Sequence, residues 1–352
     1  MSKGALGKSI AGSCRPFLLL FAGLVASTYG CGLIEPISHL ANNFATIDQG
    51  YYRGEQYLPL RVSGPSVVVI DDQPDAELLV ERRGSEEVIY SVSETALAKI
   101  SGTDFDKYLV LVAVGGYDTE RDAVIDIKRI RETDGDLYLE SRFRAASEKR
   151  LLEPSTSFHA LKLKRDRFSQ GVKYNLHLLD EAGSELSAAS AVVNYVGGAR
   201  PVRAPFTLVA SGSGGSSSAA LKEPRIIVIS NLSQARDFIA ANEVPVFSEE
   251  VYRFIPPQDA RRLSNISYEK NLAVVMMFGG GRRVFPIAAY RTDSNLAFKC
   301  LFSSGGFINP PVGSMFEIDI VQRQDVPRGI PFILSLLDQS NVDRSSVSIG
   351  KP

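Results

Sequence analysis

Ser267 and Lys270 are the two residues whose types and spacing come closest to a catalytic motif. In the segment SYEK (267–270) they form the pattern Ser-x-x-Lys, in which a lysine activates a serine nucleophile. The Ser-Asp-Asn and Lys-Thr-Gly segments that accompany this motif in enzymes are absent from the sequence. We therefore interpret Ser267 as a polar turn residue and Lys270 as a solvated lysine at the start of a strand.

The spacing of the histidines does not favour a metal site. His39 lies in a stretch of weak periodicity, His159 leads into a strand, and His177 alternates with two leucines. None of them is spaced with another histidine or a cysteine for coordination. Neither a Gly-x-Ser-x-Gly elbow nor a phosphate-binding loop occurs. The sequence thus predicts no metal, no cofactor and no catalytic residue.

Two charged clusters have structural interpretations. Asp71 and Asp72 lie in a predicted turn between a strand and a helix, where aspartate is a good cap. A catalytic pair of acids would require a convergence in space that the sequence does not show. The segment KLKRDR (162–167) has the pattern of the outward face of an amphipathic strand and its turn, with a docking patch as the alternative.

The segment 279–283 is the best candidate for contact with a partner. Gly280, Gly281, Arg282 and Arg283 are predicted to form a loop between a buried strand and an edge hairpin. Loops on rigid sheets often bind partners, and arginine is common at interfaces. An ordinary solvated loop is the alternative.

The composition is that of a folded globular chain. Its 352 residues are enough for two domains, and 44% hydrophobic with 22% charged residues is an ordinary globular balance. The formal net charge of −1 gives no electrostatic footprint for nucleic acid.

Residues 1–31 have the pattern of an export signal. Basic residues precede the apolar run FLLLFAGLVAS (17–27), and small residues follow it. Gly30 before Cys31 resembles the lipobox of bacterial lipoproteins, in which the cysteine is lipidated, although Thr28 stands where leucine is usual. Plain secretion and an uncleaved anchor are the alternatives, since the apolar stretch 17–34 only just reaches spanning length. All three place the remaining chain in the bacterial cell envelope or outside the cell.

Four pairs of segments match in the same order at nearly constant offset, which predicts a duplicated domain. The pairs are 66–79 with 225–238, 105–116 with 268–280, 131–143 with 290–302, and NLHLLD (175–180) with ILSLLD (333–338). Two unrelated β-rich domains are the alternative. The predicted divisions are a tether at 32–64, a first domain at 65–200, a flexible Gly/Ser-rich linker at 201–223 and a second domain at 224–352.

Each copy is predicted to be mainly β. The segments 123–130 and 137–143 alternate between apolar and polar residues around the turn signal TDGD, which indicates a hairpin. The segment 108–114 is apolar on both faces and predicts a central strand, and 94–100 predicts a short helix. Cys300 falls at the position of Ser141 on the inward face, which predicts a buried thiol. We expect two tandem, related, small antiparallel β-sheet or sandwich domains with one or two short helices each.

These landmarks resemble a known family. Asp104-Phe105-Asp106-Lys107 leads into an apolar strand that ends at Gly115, and the segment 157–161 is similar to a later strand of that family. The family is the PrcB-type C-terminal domain of bacterial envelope lipoproteins that stabilise a protease complex. It usually shows Thr-Gly-Gly-Tyr before the next strand, where this chain has 119–122 (TERD) in the first copy and 281–283 (GRR) in the second.

The resemblance implies a non-enzymatic role in binding or stabilising another envelope protein, such as a protease. This is the expected function. One alternative is a binder of envelope polysaccharide, for which Tyr138 and Tyr174 are predicted at outward strand positions. The other alternative is an uncharacterised hydrolase.

Overall fold

The computed structural model describes residues 44–53, 64–83, 87–118, 123–145, 155–198, 200–213, 224–241, 243–245, 251–253, 255–279, 283–303, 315–327 and 331–350. The predicted export signal, Cys31 and the residues Gly280, Gly281 and Arg282 lie outside these ranges.

The described chain divides into a first half, 44–198, and a second half, 200–350. The strands of the first half are β1 (Phe44–Arg53), β2 (Ser66–Ile70), β3 (Val80–Arg83), β4 (Glu87–Tyr90), β5 (Tyr108–Asp118), β6 (Ala123–Thr133), β7 (Asp136–Ala145), β8 (Ser155–Lys164), β9 (Lys173–Leu179) and β10 (Glu185–Val192), with helix α1 (Glu94–Ser101) and 3-10 helices at Pro74–Leu79, Arg165–Arg167 and Val196–Gly198.

The strands of the second half are β11 (Val202–Arg203), β12 (Phe206–Ser213), β13 (Arg225–Ile229), β14 (Glu243–Pro245), β15 (Val251–Arg253), β16 (Asn271–Phe278), β17 (Arg283–Arg291), β18 (Asn295–Ser303), β19 (Met315–Gln322), β20 (Phe332–Leu337) and β21 (Asp343–Ile349), with helices α2 (Leu232–Ala241) and α3 (Pro257–Ser264) and a 3-10 helix at Arg323–Asp325.

In the first half, two four-stranded sheets stack face to face. Their strand orders are β1-β8-β5-β2 and β10-β9-β7-β6. Side chains alternate along β2, so that Val67 and Val69 enter the core between the sheets while Val68 and Ile70 pack under α1 and the 3-10 helix Pro74–Leu79. The first half is therefore a three-layer structure of helices, sheet and sheet.

The hairpin predicted between 123 and 143 is present as β6 and β7. Thr133 pairs with Asp136, and the two turn residues Asp134 (φ 51°) and Gly135 (φ 89°) have left-handed backbones. Such a two-residue turn matches the right-handed twist of the flanking strands. The expected mainly β fold and the predicted helix at 94–100, found as α1, are both confirmed. The sheets are not purely antiparallel, because β7 pairs with β9 in parallel.

The second half has the same strand order as the first. Its sheets run β12-β19-β16-β13 and β11-β17-β18-β20-β21, again with one parallel pair, β18 with β20. The four segment pairs that match in the sequence occupy corresponding elements of the two halves. One backbone bond shows the match in detail: Arg165 N donates to Lys107 O at 3.0 Å, and Arg323 N donates to Lys270 O at 2.8 Å.

A turn of the second half docks on two edge strands of the first. Both halves belong to one unit, Leu40–Pro352. In the turn 338–342, Gln339 O accepts from Val69 N at 3.1 Å, and Ser340 O accepts from Ser190 N at 2.8 Å. Ser340 Oγ donates to Val67 O at 2.6 Å. These bonds cover the edges of β2 and β10, whose backbone groups would otherwise lack partners within a sheet.

These pairings and the docked turn correct three expectations, which concern the tether, the flexible linker and the independence of the two halves. The predicted tether at 32–64 contains β1, which pairs with β8, and the predicted linker at 201–223 contains β11 and β12. The two halves also do not act as independent bodies on a flexible connection, because the turn 338–342 is hydrogen-bonded to the first half. Polar and small residues occur in β1 and β12 because an edge strand needs only backbone pairing on one side.

Candidate functional site between the two halves

Three aspartates lie where β2 meets the 3-10 helix Pro74–Leu79. Asp72 Oδ1 accepts from Asp75 N at 2.9 Å, and Asp75 Oδ2 accepts from Asp71 N at 3.1 Å. Pro74 begins the helical turn, where its missing N–H has no bond to lose. The two aspartates therefore lie in a tight turn, where Asp72 accepts from a backbone N–H as predicted, whereas the side chain of Asp71 binds Arg165 and Tyr195 instead.

The corresponding turn of the second half makes the same bonds without charge. Asn231 Oδ1 accepts from Gln234 N at 2.9 Å, and Gln234 Oε1 accepts from Ser230 N at 2.7 Å. Gln234 occupies the position of Asp75. Since an amide closes this turn as well as a carboxylate does, the charge of Asp75 has another role.

That role is visible in the contacts that Asp75 makes with the second half. Lys299 Nζ lies 2.6 Å from Asp75 Oδ2 and 2.5 Å from Val69 O. The hydroxyl of Tyr290 lies 2.5 Å from Asp75 Oδ1 and 2.9 Å from Asp72 Oδ2. Asp75 is 0% and Lys299 2% exposed. Burial raises the pKa of Asp75, and the ammonium of Lys299 opposes that rise.

Arginines bind the other two aspartates. Asp71 binds the guanidinium of Arg165 and the hydroxyl of Tyr195, and Arg203 Nε donates to Asp72 Oδ2 at 3.0 Å. Burial, together with the neighbouring carboxylates, raises the pKa values of both Tyr195 and Tyr290 above their usual range. Both phenols are therefore hydrogen-bond donors at neutral pH.

A cavity of about 480 Å³ lies beside this network. The first half contributes the three aspartates, Lys173 and part of β10. The second half contributes Arg200, Arg203, Tyr290, Asn295 and Lys299. Cavities of this size at the junction of two domains commonly bind small molecules. Every carboxylate oxygen of the three aspartates already accepts a hydrogen bond. The arrangement can bind and orient a ligand, and its acids are engaged in structure.

Lys299 is buried because the outward face of its strand, β18, packs against the first half. On β18, Phe298 and Cys300 enter the core, so Lys299 and Leu301 point outward, and Leu301 packs against the core under α1. The corresponding residue of β7, Glu140, is partly exposed and binds Arg129 at 2.9 Å. In the first half, this face of the sheet is partly exposed to solvent. In the second half, the corresponding face is buried because it packs against the first half.

Arg165 is the exception to the interpretation of KLKRDR as mostly an outward face, since Lys164, Asp166 and Arg167 are exposed as that interpretation predicts. Arg165 is buried, and its guanidinium donates to Phe105 O at 3.0 Å and to Val193 O at 2.9 Å in addition to Asp71. Arg323 has the equivalent position and donates to Tyr268 O at 2.8 Å and Ser230 O at 2.7 Å. The common offset of the two arginines in the repeat is the sequence signal that identifies them.

The histidines have structural surroundings. His159 is buried in β8; its Nδ1 accepts from Ile127 N at 2.9 Å, and its Nε2 lies 2.9 Å from Thr46 Oγ1. His177 stacks on Tyr138, with ring centroids 5.1 Å apart, and its Nδ1 lies 2.5 Å from Glu185 Oε2. Among the described residues, no group of three or more potential ligands is placed to hold a metal ion.

The remaining predicted site residues do not converge. Ser267 and Lys270 are both exposed in the turn before β16, and no hydrogen bond joins their side chains. Arg283 is the first residue of β17. Cys300 is buried as predicted, and burial raises the pKa of its thiol. Tyr174, expected on an outward face, is only 1% exposed, because its side chain packs in the core between the sheets and its hydroxyl binds Glu132.

Two acids in the core of the second half were not predicted. Phe316 and Ile318 of β19 pack under the helices, so Glu317 and Asp319 point between the sheets. Neither oxygen of Asp319 has a hydrogen-bond partner. Burial raises the pKa of Asp319 to about 7, and burial together with Asp319 raises that of Glu317 to about 9. Their counterparts in β8 are His159 and Leu161, so the repeat gave no signal of this pair.

Comparison of the chain with protein-family models, with curated proteins and with solved structures gives no match. Within the described residues, no helix has both the length and the apolar character needed to cross a membrane.

Proposed function

We propose that this chain is a non-enzymatic protein-binding or complex-stabilising module of the cell envelope. The observation that supports this function best lies in the second half, where one short segment forms the edge strands of both sheets. This segment, 202–213, contains β11 and β12 and exposes Val202 (56%) and Leu208 (54%).

Free sheet edges bind other chains by adding a strand. Within the described part of the chain, β12 pairs only with β19 and β11 only with β17, so no strand pairs with the other side of either one. On β12 the guanidinium of Arg262 donates to Val209 O at 3.5 Å. The edge of β2 is different, because the turn 338–342 and Lys299 cover it. An edge that exposes apolar side chains and is left uncovered offers backbone groups for affinity and side chains for specificity.

Sequence features support the location and the class of partner. The pattern of residues 1–31, with Cys31 in a lipobox-like context, supports attachment to or export through a bacterial membrane. The resemblance of 104–107 and 157–161 to PrcB-type domains supports an envelope protein, such as a protease, as the partner. The polysaccharide alternative loses one of its two aromatic residues, since Tyr174 is buried.

The test is capture of partners from a native envelope fraction by the tagged full chain, followed by titration of the purified partner. The double variant Val202→Asp, Leu208→Asp places two charges on the free edges. Val196→Asp is the matched control, because Val196 is 68% exposed on the 3-10 helix Val196–Gly198, outside this edge. Circular dichroism and thermal unfolding establish that all variants are folded.

We expect a partner that binds at a fixed stoichiometry, and a loss of affinity of at least about tenfold in the double variant but not in the control, as expected for anchors at the centre of an interface. A partner that binds both variants equally would overturn the assignment of the surface. Retention of the chain on cell-wall material, with no protein partner, would overturn the proposed function.

A further inference from the structure

We propose that the cavity between the two halves is a binding site for a small organic monoanion, a carboxylate on an apolar body. This site adjoins β11, since Arg203 lines it, but it does not rest on the proposed protein-binding function. The cavity is built from both halves and therefore exists only when they are joined.

The hydrogen-bond inventory of the cavity favours a ligand that accepts. Its three aspartates have no unused carboxylate oxygen, since each oxygen already receives a donor from Arg165, Tyr195, Arg203, Tyr290, Lys299 or the turn backbone. Donors remain: the ammonium of Lys173 has no hydrogen-bond or ion-pair partner within the described structure, and the side-chain amides of Asn295 and Asn341 are likewise unengaged there. Each asparagine side chain also keeps an unused carbonyl oxygen, so the group that specifically requires an acceptor is the ammonium of Lys173, which can only donate. An acceptor oxygen on the ligand would meet this requirement.

The charge of the lining favours a single negative charge on the ligand. Four cationic side chains, Lys173, Arg200, Arg203 and Lys299, line the cavity against the three aspartates. Lys299 and Arg203 are already paired with Asp75 and Asp72, and Arg200 donates to Asp71 O at 2.6 Å and to Asp106 at 2.8 Å. Among the described residues, Lys173 is the lining cation without a partner. One ammonium balances the single charge of one carboxylate, whereas a dianionic phosphate is matched better by guanidinium forks, and those of Arg200 and Arg203 are engaged here.

The rest of the lining favours an apolar body on that ligand. The apolar side chains of the wall are those of Val192, Pro201, Ala297 and Leu337. Val69 and Ala191 also line the cavity, but their side chains enter the core between the sheets. A volume of about 480 Å³ falls in the range of roughly 300–1,000 Å³ that small-molecule sites occupy. An amphipathic acid would place its carboxylate at Lys173 and its body against the apolar side chains of the wall.

The test uses the full chain and two acids, octanoate and 4-phenylbutyrate, with octanamide and 4-phenylbutyramide as uncharged matches. Binding is measured by isothermal titration calorimetry and by the ligand-dependent rise in unfolding temperature. Lys173→Met removes the unpaired ammonium at an exposed position. Lys164→Met is the matched control, because Lys164 is an exposed lysine at the end of β8 that does not line the cavity.

We expect saturable binding of at least one acid, no binding of its amide, and an affinity about tenfold lower in Lys173→Met than in Lys164→Met, the size expected for one charged contact. Absence of saturable binding of both acids would overturn the proposal and identify the cavity as a solvent-filled gap between the halves. Equal binding of acid and amide, or equal affinity in the two lysine variants, would overturn the assignment of Lys173 to a carboxylate.

Discussion

Asp75 and Lys299 are separated by 224 positions in the sequence, and their side chains form a buried ion pair of 2.6 Å that joins the two halves. Lys299 also donates to Val69 O at 2.5 Å, so the pair binds the edge of β2 as well. A buried ion pair is weak evidence for stability by itself, because desolvation offsets much of the attraction. Removing one member leaves a buried charge without its counter-ion, and that is costly. The pair therefore specifies how the halves meet.

The two equivalent arginines, Arg165 and Arg323, should differ in their contribution to stability. Arg165 binds a carboxylate and two backbone segments, whereas Arg323 binds only carbonyl oxygens. We expect Arg165→Lys to lower the free energy of unfolding by about 2–3 kcal/mol, since lysine lacks the planar fork that reaches all three acceptors, and Arg323→Lys by about 1 kcal/mol. Urea unfolding of both variants measures the difference. Equal losses would show that Asp71 adds nothing to the role of Arg165.

A second matched pair tests the docked turn. Asp338 Oδ1 accepts from Ser340 N at 2.8 Å and Val342 N at 3.0 Å, and Asp180 Oδ1 accepts from Ala182 N and Ser184 N, both at 2.8 Å. The two turns have the same side-chain to backbone bonds, although Asp338 Oδ2 also accepts from Arg344 Nε at 2.7 Å. Among the described residues, only the turn 338–342 has backbone hydrogen bonds to the other half.

Asp180→Ala should therefore cost about 1 kcal/mol, the usual effect of losing a capping side chain. Asp338→Ala should cost about 1–3 kcal/mol more, because it also releases polar groups buried between the halves. Thermal and urea unfolding give both values. Similar costs for the two variants would mean that the docked turn does not stabilise the junction.

The buried acids of β19 predict that the second half is less stable at high pH. The pKa values of Asp319 (about 7) and Glu317 (about 9) lie above the ordinary values of 3.8 and 4.5. Between the ordinary and the raised values the folded state binds more protons than the unfolded state, so the free energy of unfolding falls as pH rises and levels off above about pH 9. Asp319 and Glu317 lie near each other and near the thiol of Cys300. Asp338 also lies near that thiol.

We expect the free energy of unfolding to fall by at least about 2 kcal/mol between about pH 5 and about pH 9, and Asp319→Asn to remove much of this slope below about pH 8. Asp293→Asn, at an exposed position between β17 and β18, is the control and should leave the slope unchanged. Urea unfolding at a series of pH values provides the measurement. A stability that rises with pH over this range would contradict the burial of the two acids.

Local patterns were sufficient for the elements whose partners are close in sequence. The β6–β7 hairpin and α1 depend on alternation, a two-residue turn and a serine cap, with Ser93 Oγ accepting from Ala96 N at 3.1 Å. The buried position of Cys300 followed from the same alternation.

Edge strands were missed because their pairing is remote and their composition is that of a linker. In β12, Gly212 lies against the ring of Phe316, where a Cβ atom would be 3.2 Å from the ring, so the glycine fits the packing of a strand. In β1, Phe44 pairs with Leu163, which is far away in the sequence. Neither relationship leaves a periodic signal.

The candidate site was also beyond local patterns. Asp71 and Asp72 were predicted to lie in a turn between a strand and a helix, and they do. The partners of Asp75 are Lys299 and Tyr290, and both belong to the other half. Lys299 appears in the sequence as an outward strand residue, and its burial depends on how the halves meet. Only the three-dimensional arrangement brings these groups together around a cavity.

The proposed ligand site depends on the two halves forming one body through Asp75 and Lys299, and calorimetry of the full chain tests that claim most directly. The unchanged protein should unfold in one cooperative transition, with equal calorimetric and van't Hoff enthalpies. Asp75→Ala should lower stability by about 3–5 kcal/mol and split the transition into two, because it leaves Lys299 buried and unpaired. Asp237→Ala, on the exposed side of α2, should leave one transition. Two separate transitions in the unchanged protein, or a single unshifted transition in Asp75→Ala, would contradict the account.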